Sequence, residues 1–341
     1  MTWTTRRSTR VAALAVAAGF AVALVPGTAT AAPDTPAEAA AAVAAAAQQV
    51  EALGEQVNDA QLAADTQLAT AAQADALADA ADAAVARLAP RVHAIVTTGY
   101  MGGTPSGLEA MLTSTSAEDL VTRLATLEQL TRSTNATVGE LTAAQAEAAA
   151  ARSAADEAAA TATAALTAVQ AQQAELETQL AGYEADFARL TATAQATVFR
   201  TVVGPAVSED ATAAAAEAAP AAAPTEAAAI AVQTALAQVG KPYVVGAAGP
   251  DGFDCSGLTQ YAYAAAGVSL PHSSRTQSGM GPAVSRGDLQ PGDLVFFYSP
   301  VSHVGMYIGN GQMVHASVSG RPVAVTSVDK PGYAGARRPT A

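Results

Sequence analysis

Between residues 120 and 190 the large apolar side chains fall on one stripe, with alternating steps of four and three. The stripe collects Leu120, Leu124, Leu127, Val138, Leu141, Leu166, Val169, Leu176, Leu180, Tyr183, Phe187 and Leu190, and only Val121 and Leu130 lie off it. A heptad pattern of that length predicts a long coiled-coil helix. Alanines fill the middle of the stripe, so helices there pack closely and bury little area. A weaker stripe in one heptad phase runs through Val43, Val50, Leu53, Val57, Val85, Leu88, Val92 and Ile95. Leu62, Leu68, Leu77 and Val96 fall off it. Pro90 is expected to kink this first helix near its end. Gly99, Gly102, Gly103 and Pro105 then interrupt the pattern and end the helix. Ser106 followed by Glu109 fits a capping box, and Ser116 followed by Asp119 offers a second start. The pattern over 33–200 therefore predicts a helix, a short insert around 108–112, and a long return helix. A helical hairpin satisfies it, and so does the arm of a dimeric rod.

The texture changes twice more. Residues 201–225 carry Pro205, Pro220 and Pro224 in an acidic, Ala-rich setting without apolar periodicity, which reads as a semi-extended linker. After Glu226, Ile230, Val232, Leu236 and Val239 suggest a helix stopped by Gly240 and Pro242. Residues 258–266 suggest another, ended by Gly267. Strands are expected over 293–298, 302–308, 312–317 and 323–328. Gly309-Asn310-Gly311 between the second and third is a hairpin turn. The C-terminal part is therefore α+β and the N-terminal part all-α.

Cys255 sits at or near the start of the second helix. Unpaired N–H groups and the positive end of the helix dipole stabilise a thiolate there. Two histidines, His303 and His315, lie on the hairpin. A three-residue loop sets His315 opposite Gly305 and His303 opposite Ser317, on one face as diagonal neighbours. A two-residue turn alone puts them on opposite faces. Cooperation between them thus requires the longer loop or a bulge. Given that, the set offers a nucleophile, a base and a group that orients the base. Two histidines with Asp254 are also a conceivable zinc set. Each residue alone is as readily a core residue: a lone cysteine is a small buried hydrophobe, and a strand histidine is structural.

Composition sharpens the division. The 341 residues carry a net charge of −13. Residues 33–225 hold 24 acids and 7 bases, while 226–341 hold 6 acids and 7 bases. So acidic a coil repels nucleic acid and anionic membrane surfaces. The single cysteine excludes an intramolecular disulfide and a multi-cysteine metal site. Arg6, Arg7 and Arg10 precede an apolar run over 11–25, and Ala29-Thr30-Ala31 offers a cleavage site before Ala32 or Pro33. Residues 1–32 thus read as an export signal, short for a membrane span. A secreted or cell-wall protein is expected, with no membrane span after cleavage.

Two resemblances add to this reading. Gly99-Tyr100-Met101, Leu108-Glu109-Ala110-Met111-Leu112 and Ser116-Ala117-Glu118-Asp119-Leu120 resemble the hairpin tip of coiled-coil domains on bacterial cell-wall hydrolases. In those relatives the coil docks on the ectodomain of the division transporter complex FtsEX or holds the enzyme inactive. Residues 226–341 resemble the NlpC/P60 family of papain-like cysteine peptidases. The matching landmarks are Gly240-Lys241-Pro242-Tyr243, Asp254-Cys255-Ser256-Gly257, Leu270-Pro271-His272-Ser273-Ser274, Pro291-Gly292-Asp293-Leu294-Val295-Phe296-Phe297, His303-Val304-Gly305-Met306-Tyr307-Ile308-Gly309 and Met313-Val314-His315-Ala316. The whole chain looks like an actinobacterial Rip-type endopeptidase.

The resemblance implies a papain-like fold and cleavage of peptidoglycan stem peptides, typically between D-glutamate and meso-diaminopimelate, without a cofactor or metal. It implies Cys255 as nucleophile, His303 as base and His315 as the orienting group. Tyr243 matches a tyrosine that binds substrate or the oxyanion. Asp254 and Ser256 match residues contacting the peptide on its N-terminal side. His272 stands where some relatives carry arginine, and His93 lies in the coil without an expected role. Autoinhibition by the coil folding over the cleft is a further expectation. Two other functions fit the same residues: a non-catalytic wall-binding or divisome interaction protein, and an amidase of the same fold.

Overall fold

A computed structural model describes residues 35–101 and 107–340. The export signal and the capping box at Ser106 lie outside these residues. The first 66-residue helix, α1 (Pro36–Met101), runs through Pro90 to the tip. A short helix, α2 (Gly107–Thr113), and a 72-residue helix, α3 (Ala117–Ala188), follow. Ser116 caps α3 by accepting the Asp119 N–H at 3.1 Å, and Asp119 accepts the Thr115 N–H at 3.1 Å. This reciprocal pair is the start that the Ser116/Asp119 spacing predicts.

The two long helices pack against each other as an antiparallel hairpin. Arg91 bonds Glu140 at 2.8 Å, and Arg152 pairs with Asp82. These pairs are exposed, so they set register more than stability. The distal seam buries Ala78, Thr137, Ala148 and Ala162. A buried Ala methyl contributes about 0.8 kcal/mol, against about 1.5–3 kcal/mol for Val or Leu. The larger residues gather at the base instead. There Val43, Val50, Val57, Leu176 and Tyr183 meet Val198 and Val202 of α4 (Ala192–Val202) in one buried cluster. The hairpin is therefore weakly held along its length and firmly held where it meets the rest of the chain.

The expected linker is not an extended tether. Residues 209–218 form a helix, α5 (Glu209–Ala218), capped by Ser208, and Ala215 and Ala219 are buried in the C-terminal core. Alanine has the highest helix propensity. Its small face docks without the large apolar residues that would signal a buried helix.

The C-terminal part contains α6 (Glu226–Leu236), α7 (Cys255–Ala265) and the single turn α8 (Ser274–Gln277). Its strands are β1 (Ala283–Val284), β2 (Leu294–Phe297), β3 (His303–Gly309), β4 (Gln312–His315), β5 (Ala324–Ser327) and β6 (Tyr333–Arg337). They form one antiparallel sheet in the order β1-β6-β2-β3-β4-β5. Helices α6 and α7 cover one face, burying Val232, Leu258 and Tyr263 against Leu294, Phe296, Val304, Met306 and Val314. No described helix is long and apolar enough to cross a membrane.

Candidate active site

Cys255 opens α7 and His303 opens β3, and these two elements pack together. Asp254 is the N-cap of α7 and accepts the Gly257 N–H at 2.6 Å, which fixes the helix start under the thiol. The β3–β4 hairpin turns through Asn310 and Gly311, both at positive φ, between paired Gly309 and Gln312. This is the two-residue turn. A bulge at Ile308 then shifts the register, so that Tyr307 pairs with Met313 and Met306 with Val314. The bulge restores the register that sets His315 opposite Gly305. It brings His303 Nε2 to 2.8 Å from His315 Nδ1, and both rings are buried. His315 Nε2 lies 3.0 Å from Thr326 Oγ1.

We assign the protons along this chain from its far end. Thr326 donates to the Val203 carbonyl at 3.4 Å, so its oxygen is free to accept from His315 Nε2–H. His315 Nδ1 then accepts from His303 Nε2–H. This leaves His303 Nδ1 as a bare acceptor on the side facing Cys255. Sγ, a His303 ring nitrogen and a Glu51 carboxylate oxygen lie within 4.8 Å of one another. A base of this form can take a thiol proton and return it to a leaving group.

In this structure that base is already engaged. Glu51 of α1 hydrogen-bonds His303 Nδ1. Glu55, one turn on, accepts from Ser256 Oγ at 2.7 Å and from the Ser274 N–H, and lies 3.5 Å from Cys255 Sγ. Asn58 donates to Asp254 at 3.1 Å, and Asp59 bonds Ser273. Arg275 pairs with Asp59 at 3.3 Å. Gly54 faces the same way, and a Cβ there would stand 3.2 Å from the Val245 side chain. Glu51, Gly54, Glu55 and Asn58 thus form one buried face of α1, beside the apolar face that packs in the hairpin. Sequence reasoning missed these four residues. The signal was present as two acids and an amide spaced four and three apart, around a mid-helix glycine that costs about 1 kcal/mol relative to alanine.

The electrostatics follow from this burial. Burial pushes Glu51 up to about 8, with Asp254 adding to the rise and Lys330 opposing it. Burial and the Asp254 charge push Glu55 up to about 7. Burial holds His303 and His315 well below their usual range. The Cys255 thiol is pushed well above its usual range by burial, then by Glu55, Glu51 and Asp254. The expected helix-terminus stabilisation of the thiolate is therefore overridden while α1 covers the cysteine.

The other sequence-predicted residues surround this point. Ser256 is buried and donates to Glu55. Asp254 accepts the Gly246 N–H at 3.0 Å and bonds His272 Nε2 at 2.8 Å. Burial works to lower the His272 pKa, but Asp254 and Glu55 raise it on balance. Tyr243 bridges to Phe253 and packs against the core cluster that includes Cys255; burial pushes its hydroxyl well above its ordinary value, with Glu51 and Cys255 adding to the rise. His93 is on the coil, beside Thr97. Glu51, Cys255 and His303, and likewise Glu55, Asp254 and Cys255, have the spacing of metal ligands. Each set includes an acid of α1 already bonded to protein groups. The zinc set of two histidines with Asp254 is not assembled, because His315 is committed to His303 and Thr326.

The sequence is similar to those of known proteins. The NlpC/P60 family pattern matches residues 240–337. The Mycobacterium tuberculosis protein named probable endopeptidase Rv2190c is 40% identical over 326 residues, covering 84% of this chain and 85% of that one. A probable endopeptidase of Corynebacterium glutamicum is 47% identical over 98 residues, 29% of this chain and 46% of its own length. Among solved structures, the P60 domain of the antigen MAP1204 from M. avium subspecies paratuberculosis is 36% identical, over 34% of this chain and 96% of that one, with a TM-score of 0.33.

Proposed function

Because the chain belongs to the NlpC/P60 family, and is a cysteine peptidase of that family, we propose that it is an exported cell-wall hydrolase held latent by its own coil. Its substrate is the peptidoglycan stem peptide, and the bond cleaved is that between D-glutamate and meso-diaminopimelate. Cys255 attacks the amide carbonyl as thiolate after His303 Nδ1 takes its proton. The Cys255 backbone N–H at the start of α7 faces the developing oxyanion. His303 returns the proton to the leaving amine, and water then releases the acyl group. His315 and Thr326 hold the His303 tautomer. Tyr243, Asp254 and Ser256 hold the peptide on the N-terminal side of the bond.

The observation that carries latency is the contact of Glu51 and Glu55 with His303, Ser256 and Cys255. A substrate carbonyl cannot reach the thiol while α1 occupies this space. Release falls to a partner at the far end of the hairpin, where Leu108, Met111, Leu112, Val121 and Leu124 are exposed. We assign that role to the FtsEX ectodomain. The test compares the full chain, Glu51→Ala/Glu55→Ala and Cys255→Ala on diaminopimelate-type muropeptides, with products weighed. The double variant removes four hydrogen bonds to the cleft, worth roughly 4 kcal/mol or about a thousandfold in opening. It is expected to cleave after D-glutamate far faster than the native chain, and Cys255→Ala not at all. Equal rates for the native chain and double variant overturn latency. Masses showing a free sugar and an intact peptide overturn the bond assignment in favour of an amidase.

A further inference from the structure

Lys330 lies between β5 and β6, outside every motif considered above. Only 3% of its surface is exposed, and its Nζ has no hydrogen-bond partner among the described residues. The ammonium stands 5.0 Å from the Phe297 ring centroid and 5.2 Å from that of Tyr298. Those rings are 5.6 and 6.5 Å from the His303 ring. A buried cation thus sits one aromatic layer from the base. Burying a charge without a partner is costly, so such a lysine calls for an anion.

Part of its cover comes from the regulatory side of the molecule. A Cβ on Gly204, just past α4, would stand 3.2 Å from the Lys330 Cβ. Glu51 and Cys255 are the groups whose charge acts on it from the site. Glu51 Oε2 also has no hydrogen-bond partner among the described residues. A buried acid bonded to His303 and a buried amine behind the rings packed on His303 thus each keep a polar atom unpartnered among the described residues. Glu55 occupies the Ser256 side of the cysteine, which in the proposed reaction holds the N-terminal part of the peptide. Glu51 occupies the other side, beside the histidine that protonates the leaving amine. Withdrawal of α1 frees the His303 side of the cysteine, and the Phe297 and Tyr298 rings beside His303 carry the ammonium one layer behind it.

We propose that Lys330 is a specificity residue that recognises, once Glu51 has withdrawn, a carboxylate on the residue leaving as the amine. The assignment rests on the endopeptidase reading. It adds that the enzyme distinguishes a free carboxylate from a carboxamide at that position. Lysine suits this discrimination, because a carboxamide offers it no charge. The aromatic walls keep water from screening the pair.

The test uses full-length Glu51→Ala/Glu55→Ala with Lys330 intact, with Lys330→Met and with Lys330→Arg. Each acts on stem tripeptides whose diaminopimelate carries free carboxyls or carboxamides. The readout is the ratio of kcat/KM for acid over amide, which is insensitive to the folded fraction. With Lys330 the acid is expected to be preferred about tenfold or more, chiefly through KM. Lys330→Met is expected to bring the ratio close to one, and Lys330→Arg to keep most of it. A ratio unchanged in Lys330→Met, or no preference with Lys330, overturns the proposal. Cleavage of neither peptide by any of these proteins overturns the endopeptidase reading instead. Recognition by Lys330 is then read by calorimetric titration of the same peptides into these proteins carrying Cys255→Ala. Tighter binding of the acid that depends on Lys330 upholds it, and equal binding or none overturns it.

Discussion

Raising the pH from 6.5 to 8 is expected to loosen the contact between α1 and the active site. The docked state holds Glu51 with a pKa of about 8 and Glu55 with one of about 7, both raised from 4.5. Docking therefore takes up protons, and it loses stability as pH rises through these values. Other facing groups bound the window. His303, held below 6.5 when docked, favours release below that pH. Lys330, lowered to about 8 when docked, favours docking above it. Cys255 and His272, both raised by docking, act in the same sense as the acids. Across pH 6.5 to 8 the two acids dominate, and docking weakens as pH rises.

One proton over 1.5 pH units, at about 1.36 kcal/mol per unit, amounts to about 2 kcal/mol or a thirtyfold change in the open fraction. The single cysteine makes this measurable. Alkylation of Cys255 by an uncharged thiol reagent reports the open fraction multiplied by the thiolate fraction. Glu51→Gln/Glu55→Gln keeps the shape of the docked, protonated acids but takes up no proton on the two side chains. The native rate divided by the variant rate cancels the thiolate term. That quotient is expected to rise about thirtyfold between pH 6.5 and 8. A quotient flat across the window refutes the reasoning, because Glu51 and Glu55 then dock without changing their protonation.

Two further perturbations test the same architecture. Gly54→Leu is expected to free the enzyme, because its Cβ alone would already stand 3.2 Å from the Val245 side chain. Overpacking of that kind costs about 1–3 kcal/mol; muropeptide turnover should rise while helix content by circular dichroism stays constant. Thr326→Val removes the acceptor of His315 Nε2 at 3.0 Å. In the Glu51→Ala/Glu55→Ala background it is expected to lower kcat about tenfold and move the acid limb of the pH profile, and an unmoved limb would refute the proton order assigned to the two histidines.

The legible part of this molecule is the part governed by local rules. The heptad stripe located α3, and Ser116 with Asp119 located its start, because caps and stripes are set by residues a few positions apart. The histidine register was legible only as a condition. The short turn at Asn310-Gly311 pointed to the wrong register, and the bulge at Ile308 reversed it. Nothing in the sequence of β3 distinguishes a bulged isoleucine from a paired one, since sheet pairing decides that. The helix over 209–218 was hidden for a related reason: an alanine face needs no periodic large residues to dock. The plug was hardest to see. Glu51 and Glu55 are solvated acids on any isolated helix, and they acquire meaning only when the base of the hairpin holds α1 over Cys255. Their burial cost is borne by the Val43, Val198 and Val202 cluster, some distance along the chain from the site itself. The latency we propose would separate the holding energy of the site from its chemistry. On that proposal, a partner that pulls on the weakly packed hairpin releases the cysteine without touching it.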